Sequence, residues 1–241
     1  MRRFLIPAST AIALAAAGCH FSADAEERDA GKKVDRTYQV GAFSKIEVAG
    51  PYEVQVVTGG APGVSARGGE NLLNETEVVV DGDTLEIRPR KHKGFRWNWS
   101  NGTAQFIVNA AALRAAAIAG SGGITVDKIA GDFDGNVAGS GDLRLPSVAG
   151  GKVTLSIAGS GGVTAAGQAD KVDINIAGSG DIDAKGLVSR TADVSIAGSG
   201  NVAAHATETA DVSIMGSGDV NLSGGAKCSI SKAGSGNVHC G

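Results

Sequence analysis

Gly-Ser-Gly occurs seven times in the second half of the chain, centred on Ser121, Ser140, Ser160, Ser179, Ser199, Ser217 and Ser235, so consecutive copies lie 18 to 20 residues apart. No other feature narrows the fold as much. Two residues before each copy stand Ile118, Val137, Ile157, Ile176, Ile196, Ile214 and Lys232. Two residues after it stand Ile124, Leu143, Val163, Ile182, Val202, Val220 and Val238. Their neighbours are polar, as at Asn175, Ser195, Ser213, Asp142, Asp181, Asn201 and Asp219. Alternation with a period of two is the mark of a strand buried on one side. Each unit therefore reads as strand, tight corner, strand and a looser second corner such as Ala184-Lys185-Gly186. At about 3.3 Å per residue, 19 residues give a perimeter near 60 Å, the size of one rung of a parallel β-solenoid. One rung cannot bury its Ile and Val; stacked rungs can.

Glycine, 37 of 241 residues, is explained by such corners, where positive φ or close backbone approach excludes a Cβ. The serine hydroxyls between the glycines are expected to face solvent or to bond along the stack. A phosphate-binding loop is the competing interpretation of Gly-Ser-Gly, but it needs a following helix or lysine that the sequence lacks. The fold class is therefore all-β, a single-stranded parallel β-solenoid (β-helix) of ~19-residue rungs. Residues 41–113 continue the alternation more loosely, through Phe43, Ile46, Val48, Tyr52, Val54, Val56, Val78-Val79-Val80, Leu85, Ile87 and Phe106-Ile107-Val108, with a turn at Asp81-Gly82. They read as irregular, wider rungs in front of the regular rungs 114–241, although two separate domains would fit too. Lys232, in a column otherwise aliphatic, points to a last rung that faces water as a cap. Cys228 and Cys240 fall on inward positions of that rung, six before and four after the corner. They are either a disulfide across it or two buried thiols.

The start of the chain is an export signal. Met1-Arg2-Arg3 precedes an apolar run from Phe4 to Ala17, too short to span a bilayer, and Ala15-Ala16-Ala17-Gly18-Cys19 follows. Cleavage before Cys19 would make residues 1–18 the signal peptide and Cys19 the lipidated residue, in a sequence that resembles a bacterial lipobox with Ala16 where Leu is usual. Cleavage after Ala23-Asp24-Ala25 would instead make the signal 1–25 and discard Cys19. Residues 19–40 are charged and aperiodic, a tether. The expected location is the bacterial cell envelope, as an outer-membrane lipoprotein or in the periplasm.

Phe43-Ser44-Lys45-Ile46-Glu47-Val48 with Gly50 and Tyr52-Glu53-Val54, then Asn71-Leu72-Leu73, Asp81-Gly82 with Leu85 and Ile87, and Leu113 ahead of Ile118-Ala119-Gly120-Ser121-Gly122 follow one another in an order that resembles the head GIN domain of auto-transporter adhesins. Ala110-Ala111-Ala112 stands where that family has a proline before the leucine. The resemblance covers nearly all of residues 41–241. It implies a β-solenoid, export and an adhesive or surface role. Self-export would need membrane-barrel strands, none of which is recognisable up to Gly241.

Chemistry is sparse. His20, His92, His205 and His239 show no ligand spacing, no catalytic residue and no cofactor is assigned, and a non-enzymatic binding or structural module is expected. Asp173, Asp193 and Asp211 share one outward column, so Lys171 and Arg190 or a bound cation should compensate them; they are weak calcium candidates. Outward acids on adjacent rungs are also the basis of the alternative, an envelope enzyme acting on polysaccharide, for which they would have to line a cleft. A plain spacer is the third reading. The segment Arg88–Gly102 concentrates charge and aromatic rings. Its Arg90, Lys91, Lys93, Phe95, Arg96, Trp97 and Trp99 are candidates for binding an envelope glycan, anionic lipid headgroups or another surface ligand; alternatively the tryptophans cover an open end of the coil. A net charge of −3 and export argue against nucleic acid as a partner; the membrane would be met through the lipid anchor. Oligomeric state is not legible.

Overall fold

The computed structural model describes residues 28–90, 99–100 and 102–241. Rungs of the regular half follow chain order. β10 (Ala115–Gly120) and β11 (Gly123–Val126) flank the first Gly-Ser-Gly corner, and β12 (Ile129–Ala130) closes that turn. β13 (Phe133–Gly139), β14 (Asp142–Ala149) and β15 (Lys152–Gly159) continue, and then β16 (Gly162–Gly178), β17 (Asp181–Gly198) and β18 (Val202–Gly216) each run through a second corner into the following rung. β19 (Val220–Ser223), β20 (Lys227–Gly234) and β21 (Val238–Cys240) end the chain. All neighbouring rungs here pair in parallel with inward residues over inward residues, as Ile157 over Val137 and Ile176 over Ile157. The second corners are looser, with register shifts at Thr164/Ala166 and Ala184/Val188.

The first corner is held by backbone, not by serine hydroxyls. The N–H of Ser140, Ser160, Ser179, Ser199, Ser217 and Ser235 donates in each case to the carbonyl of the first motif glycine one rung earlier, at 2.8 to 3.0 Å. The hydroxyls themselves are exposed and make no bond along the stack. That first glycine has φ near +123° to +140°, a conformation costly for a residue with a Cβ. The second packs so closely that a Cβ at Gly200 would lie 2.1 Å from the carbonyl oxygen of Gly180.

Residues before the regular half form a different front. β1 (Arg28–Asp29) pairs with β8 (Trp99–Ser100) in a small separate sheet. β2 (Lys33–Tyr38), β3 (Lys45–Ala49), β4 (Tyr52–Thr58), β5 (Gly63–Gly69), α1 (Glu70–Asn74), β6 (Thr76–Asp81), β7 (Thr84–Pro89) and β9 (Ala104–Ala110) follow. β7 and β9 form the frontmost parallel rung, for β3 lies parallel between β7 and β10, and β4 lies parallel between β9 and β11. The rung earliest in sequence is thus second in space. Beyond the front rung the pairing turns antiparallel: β6 joins β7 through the Asp81-Gly82 turn, and β5 joins β9 and then β2. Between β5 and β6, α1 carries Leu72 and Leu73 into the core. There Tyr52 and Phe106 meet edge to face with centroids 5.4 Å apart. The Thr76 hydroxyl donates to the Leu72 carbonyl, so the buried Tyr52 hydroxyl, 2.9 Å away, donates to Thr76.

At the other end Cys228 and Cys240 are bonded, with Cα atoms 6.6 Å apart. Ile230 is 51% exposed and the Lys232 ammonium donates to the Gly236 carbonyl at 2.7 Å. The last rung has a neighbour on one side, and nothing in the described chain covers the other.

Candidate functional site

Outward columns of the wall after the Gly-Ser-Gly corner change character along the stack. In the regular half they hold mostly short side chains, Arg144 and His239 excepted. Asp181, Asn201, Asp219 and Asn237 form a ladder in which the backbone N–H and side-chain amide of Asn201 both reach Asp181 Oδ1 at 2.9 Å, and those of Asn237 reach Asp219 Oδ1 at 2.7 and 3.0 Å. Asp142 pairs with Arg144 at 3.0 Å and Asp183 with Lys185 at 3.0 Å. Acids on these rungs do border shallow grooves, but each has a structural partner.

Toward the front the same columns become long. Gly123 pairs with Glu53 and Glu53 with Gln105; Thr125 pairs with Gln55 and Gln55 with Ile107. β5 and β2 add Ser65, Arg67, Asp35 and Thr37 beside them. These residues line an open groove of about 700 Å³ across β2, β5, β9, β4 and β11. At Gly123, beside the groove, the Glu53 carboxylate lies over the backbone, with Oε2 2.5 Å from where a Cβ would stand. Arg67 meets Asp35 loosely at 3.8 Å, both well exposed. Arg36 also borders the groove, and its guanidinium donates to the Asn74 side chain at 2.8 Å. The side chains of Glu53, Gln55, Gln105, Ser65, Thr37 and Thr125 make no hydrogen bond or ion pair among the described residues. At the groove's floor Ile107 is 48% exposed.

The sequence-marked residues distribute unevenly. Arg90 is exposed and is spent on structure, its Nε donating to the Asn74 carbonyl at 2.9 Å and its backbone N–H to the Glu75 carbonyl at 2.8 Å. Lys91, Lys93, Phe95, Arg96 and Trp97 lie outside the described residues, as does Cys19; of Trp99 only the backbone pairing with Arg28 is described. β7 ends at Pro89, and β9 begins at Ala104, beside Gln105 of the groove. Asp173, Asp193 and Asp211 do stack in one column. Asp173 is flanked by Lys152 at 2.7 Å and Lys171 at 2.9 Å, whereas Arg190 turns to Glu208 at 2.8 Å. No group of three or more His, Cys, Asp or Glu suited to a metal ion occurs among the described residues. On the wall before the corner, Asn136, Ser156, Asn175, Ser195 and Ser213 run beside Ala138, Ala158, Ala177, Ala197 and Met215 as a shallow groove of about 550 Å³ with short, uniform side chains.

The comparison with protein families matches residues 42–226 to the family described as "Putative auto-transporter adhesin, head GIN domain". The chain belongs to that family. Solved structures similar to this head GIN domain include a "putative adhesin" from Bacteroides fragilis (TM-score 0.76, 23% identity, 87% of this chain and 98% of that one). A "putative lipid binding protein" from Parabacteroides distasonis gives 0.72 and 26%, covering 89% and 100%. A "putative adhesin" from Parabacteroides merdae gives 0.65 and 19%, covering 88% and 97%. No curated protein matches the chain. In the described part of the head GIN domain no helix is long and apolar enough to cross a membrane.

The groove was missed from sequence because outward positions of a coil obey no packing rule. A signal was present: Glu53, Gln55 and Gln105 are long planar side chains side by side in columns that elsewhere hold mostly Gly, Asp, Asn and Thr, with Arg144 and His239 as isolated long residues.

Proposed function

We propose that this head GIN protein is an exported, non-enzymatic binding module of the bacterial envelope, anchored through a lipid on Cys19, and that it holds its ligand in the front groove. The observation that carries the reading is a hollow faced by polar side chains with no partners of their own. Folding leaves such groups solvated, where they are free to exchange water for a ligand at little cost. The adhesin descriptions of the family and of its structural relatives support the binding role. Among the described residues, the groove sets no histidine beside Ser65, Thr37 or Thr125, so its hydroxyls lack the imidazole base that most often activates such a nucleophile. The nine residues from Cys19 to Glu27 can extend no more than about 30 Å, which would keep the groove near the bilayer and the capped last rung away from it.

Sedimentation of the full-length protein with membrane and cell-wall fractions of its native host tests this. The double variant Gln55→Ala/Gln105→Ala is expected to keep its melting temperature, since both side chains are outward, and to bind at least about tenfold more weakly, a difference of ~1.4 kcal/mol. Binding equal to that of the unaltered protein would refute the groove as the site.

A further inference from the structure

We infer that the ligand of the front groove is an uncharged glycan chain; the inference rests on the groove being the binding site and adds the chemical class. Three features of the groove converge on it. First, its free polar groups are mostly forks. The amides of Gln55 and Gln105 each offer a donor and an acceptor, the carboxylate of Glu53 offers paired acceptors, and Arg67 and Asp35 add a loosely held guanidinium and carboxylate. Neighbouring hydroxyls on a sugar ring both donate and accept, so one ring edge can satisfy both arms of such a fork. A lipid tail would satisfy none of them and would leave each without its water.

Second, the forks surround an apolar spot. Ile107 is 48% exposed at the centre of a sheet otherwise faced with polar groups, and Gln55 is its directly paired neighbour. A pyranose ring carries hydroxyls at its edge and C–H groups on its face, and it matches this pattern of apolar centre and polar rim.

Third, the groove has no excess positive charge to draw an anion. Asp35 and Glu53 contribute two negative charges and Arg36 and Arg67 two positive ones, and the Arg36 guanidinium is engaged by Asn74. A phosphate or carboxylate brought beside Glu53 would meet like charge, and the two guanidiniums that could offset it are already held, Arg67 by Asp35 and Arg36 by Asn74. Anionic lipid headgroups and acidic polysaccharides are therefore disfavoured relative to neutral sugars. At about 700 Å³ the groove falls within the ~300–1,000 Å³ of small-ligand sites, so it would grip a few sugar units of a longer chain and let the remainder pass into solvent.

The test is affinity electrophoresis of the full-length protein in gels containing one of several neutral polysaccharides (dextran, mannan, xylan, a mixed-linkage β-glucan) or the acidic polygalacturonate, together with flotation on phosphatidylglycerol vesicles. Retardation by at least one neutral polysaccharide is expected, weakened tenfold or more in Gln55→Ala/Gln105→Ala and unchanged in Asp142→Ala, which alters a rung outside the groove. Binding to polygalacturonate or the vesicles alone, or retardation by none of the neutral polymers, would overturn the inference. If envelope binding still depended on Gln55 and Gln105 in that case, the groove would remain the site and only the ligand class would be wrong. Retardation by a neutral polymer that the double variant fully retains would overturn both.

Discussion

From Gly139 onward, the first glycine of each corner is fixed by an oxygen atom belonging to another rung. Gly198 and Gly60 make the contrast measurable. At Gly198 φ is +140° and an added Cβ would lie 2.0 Å from the Gly178 carbonyl oxygen; at Gly60 nothing lies within 4 Å and φ is ordinary. Gly198→Ala is expected to lower stability by on the order of 2–4 kcal/mol, summing backbone strain and overpacking. Gly60→Ala should stay within about 0.5 kcal/mol of the unaltered protein. Urea unfolding followed by circular dichroism compares them; equal midpoints would mean the corners yield to a methyl group. These corners, like the inward Ile and Val columns, were legible in the sequence because each repeats one physical demand at fixed spacing. The Ser hydroxyl was not needed for the ladder, since the backbone N–H does that work, and the motif's letters alone do not distinguish the two.

Between strands, an ion pair joins adjacent rungs at Asp173. Lys152 on β15 and Lys171 on β16 both reach Asp173. Burial alone would raise the Asp173 pKa, but the hydrogen bonds from Lys152 and Lys171 together outweigh it and hold it below the usual carboxylate range. A depressed native pKa stabilises the fold above the unfolded value near 3.9 and ceases to do so as pH falls through both values. The melting temperature of the unaltered protein should therefore drop more steeply between about pH 5 and pH 2 than that of Asp173→Asn. Parallel acid limbs in the two would show that the triad contributes nothing to folding. The stacking of Asp173, Asp193 and Asp211 was readable from spacing; which lysines answer it was not. Lys152 comes from the preceding rung, and side-chain reach between rungs leaves no trace in periodicity. Similarly, the length of the irregular front was legible, but the placement of β3 and β4 between later strands was not, because parallel pairing of either order buries the same aliphatic residues.

For the whole molecule the two ends are unlike. The front is closed by α1 and antiparallel strands, while the last rung exposes Ile230 and keeps Lys232 where every other rung has an aliphatic residue. An unpaired strand edge invites another chain, and a lysine on it opposes that. Lys232→Ile is expected to convert the end into an apolar face and to produce larger species in sedimentation velocity at micromolar concentration. A profile identical to that of the unaltered protein would show that the disulfide-bonded rung resists stacking without its charge.

The order of strands in the front also bears on how the chain gains its shape. Synthesis delivers residues from the amino terminus onward, yet β3 and β4 cannot acquire neighbours on both edges until residue 126 has emerged. The first hundred or so residues must wait as a partly paired intermediate, whereas every later turn can dock onto its predecessor as soon as it appears.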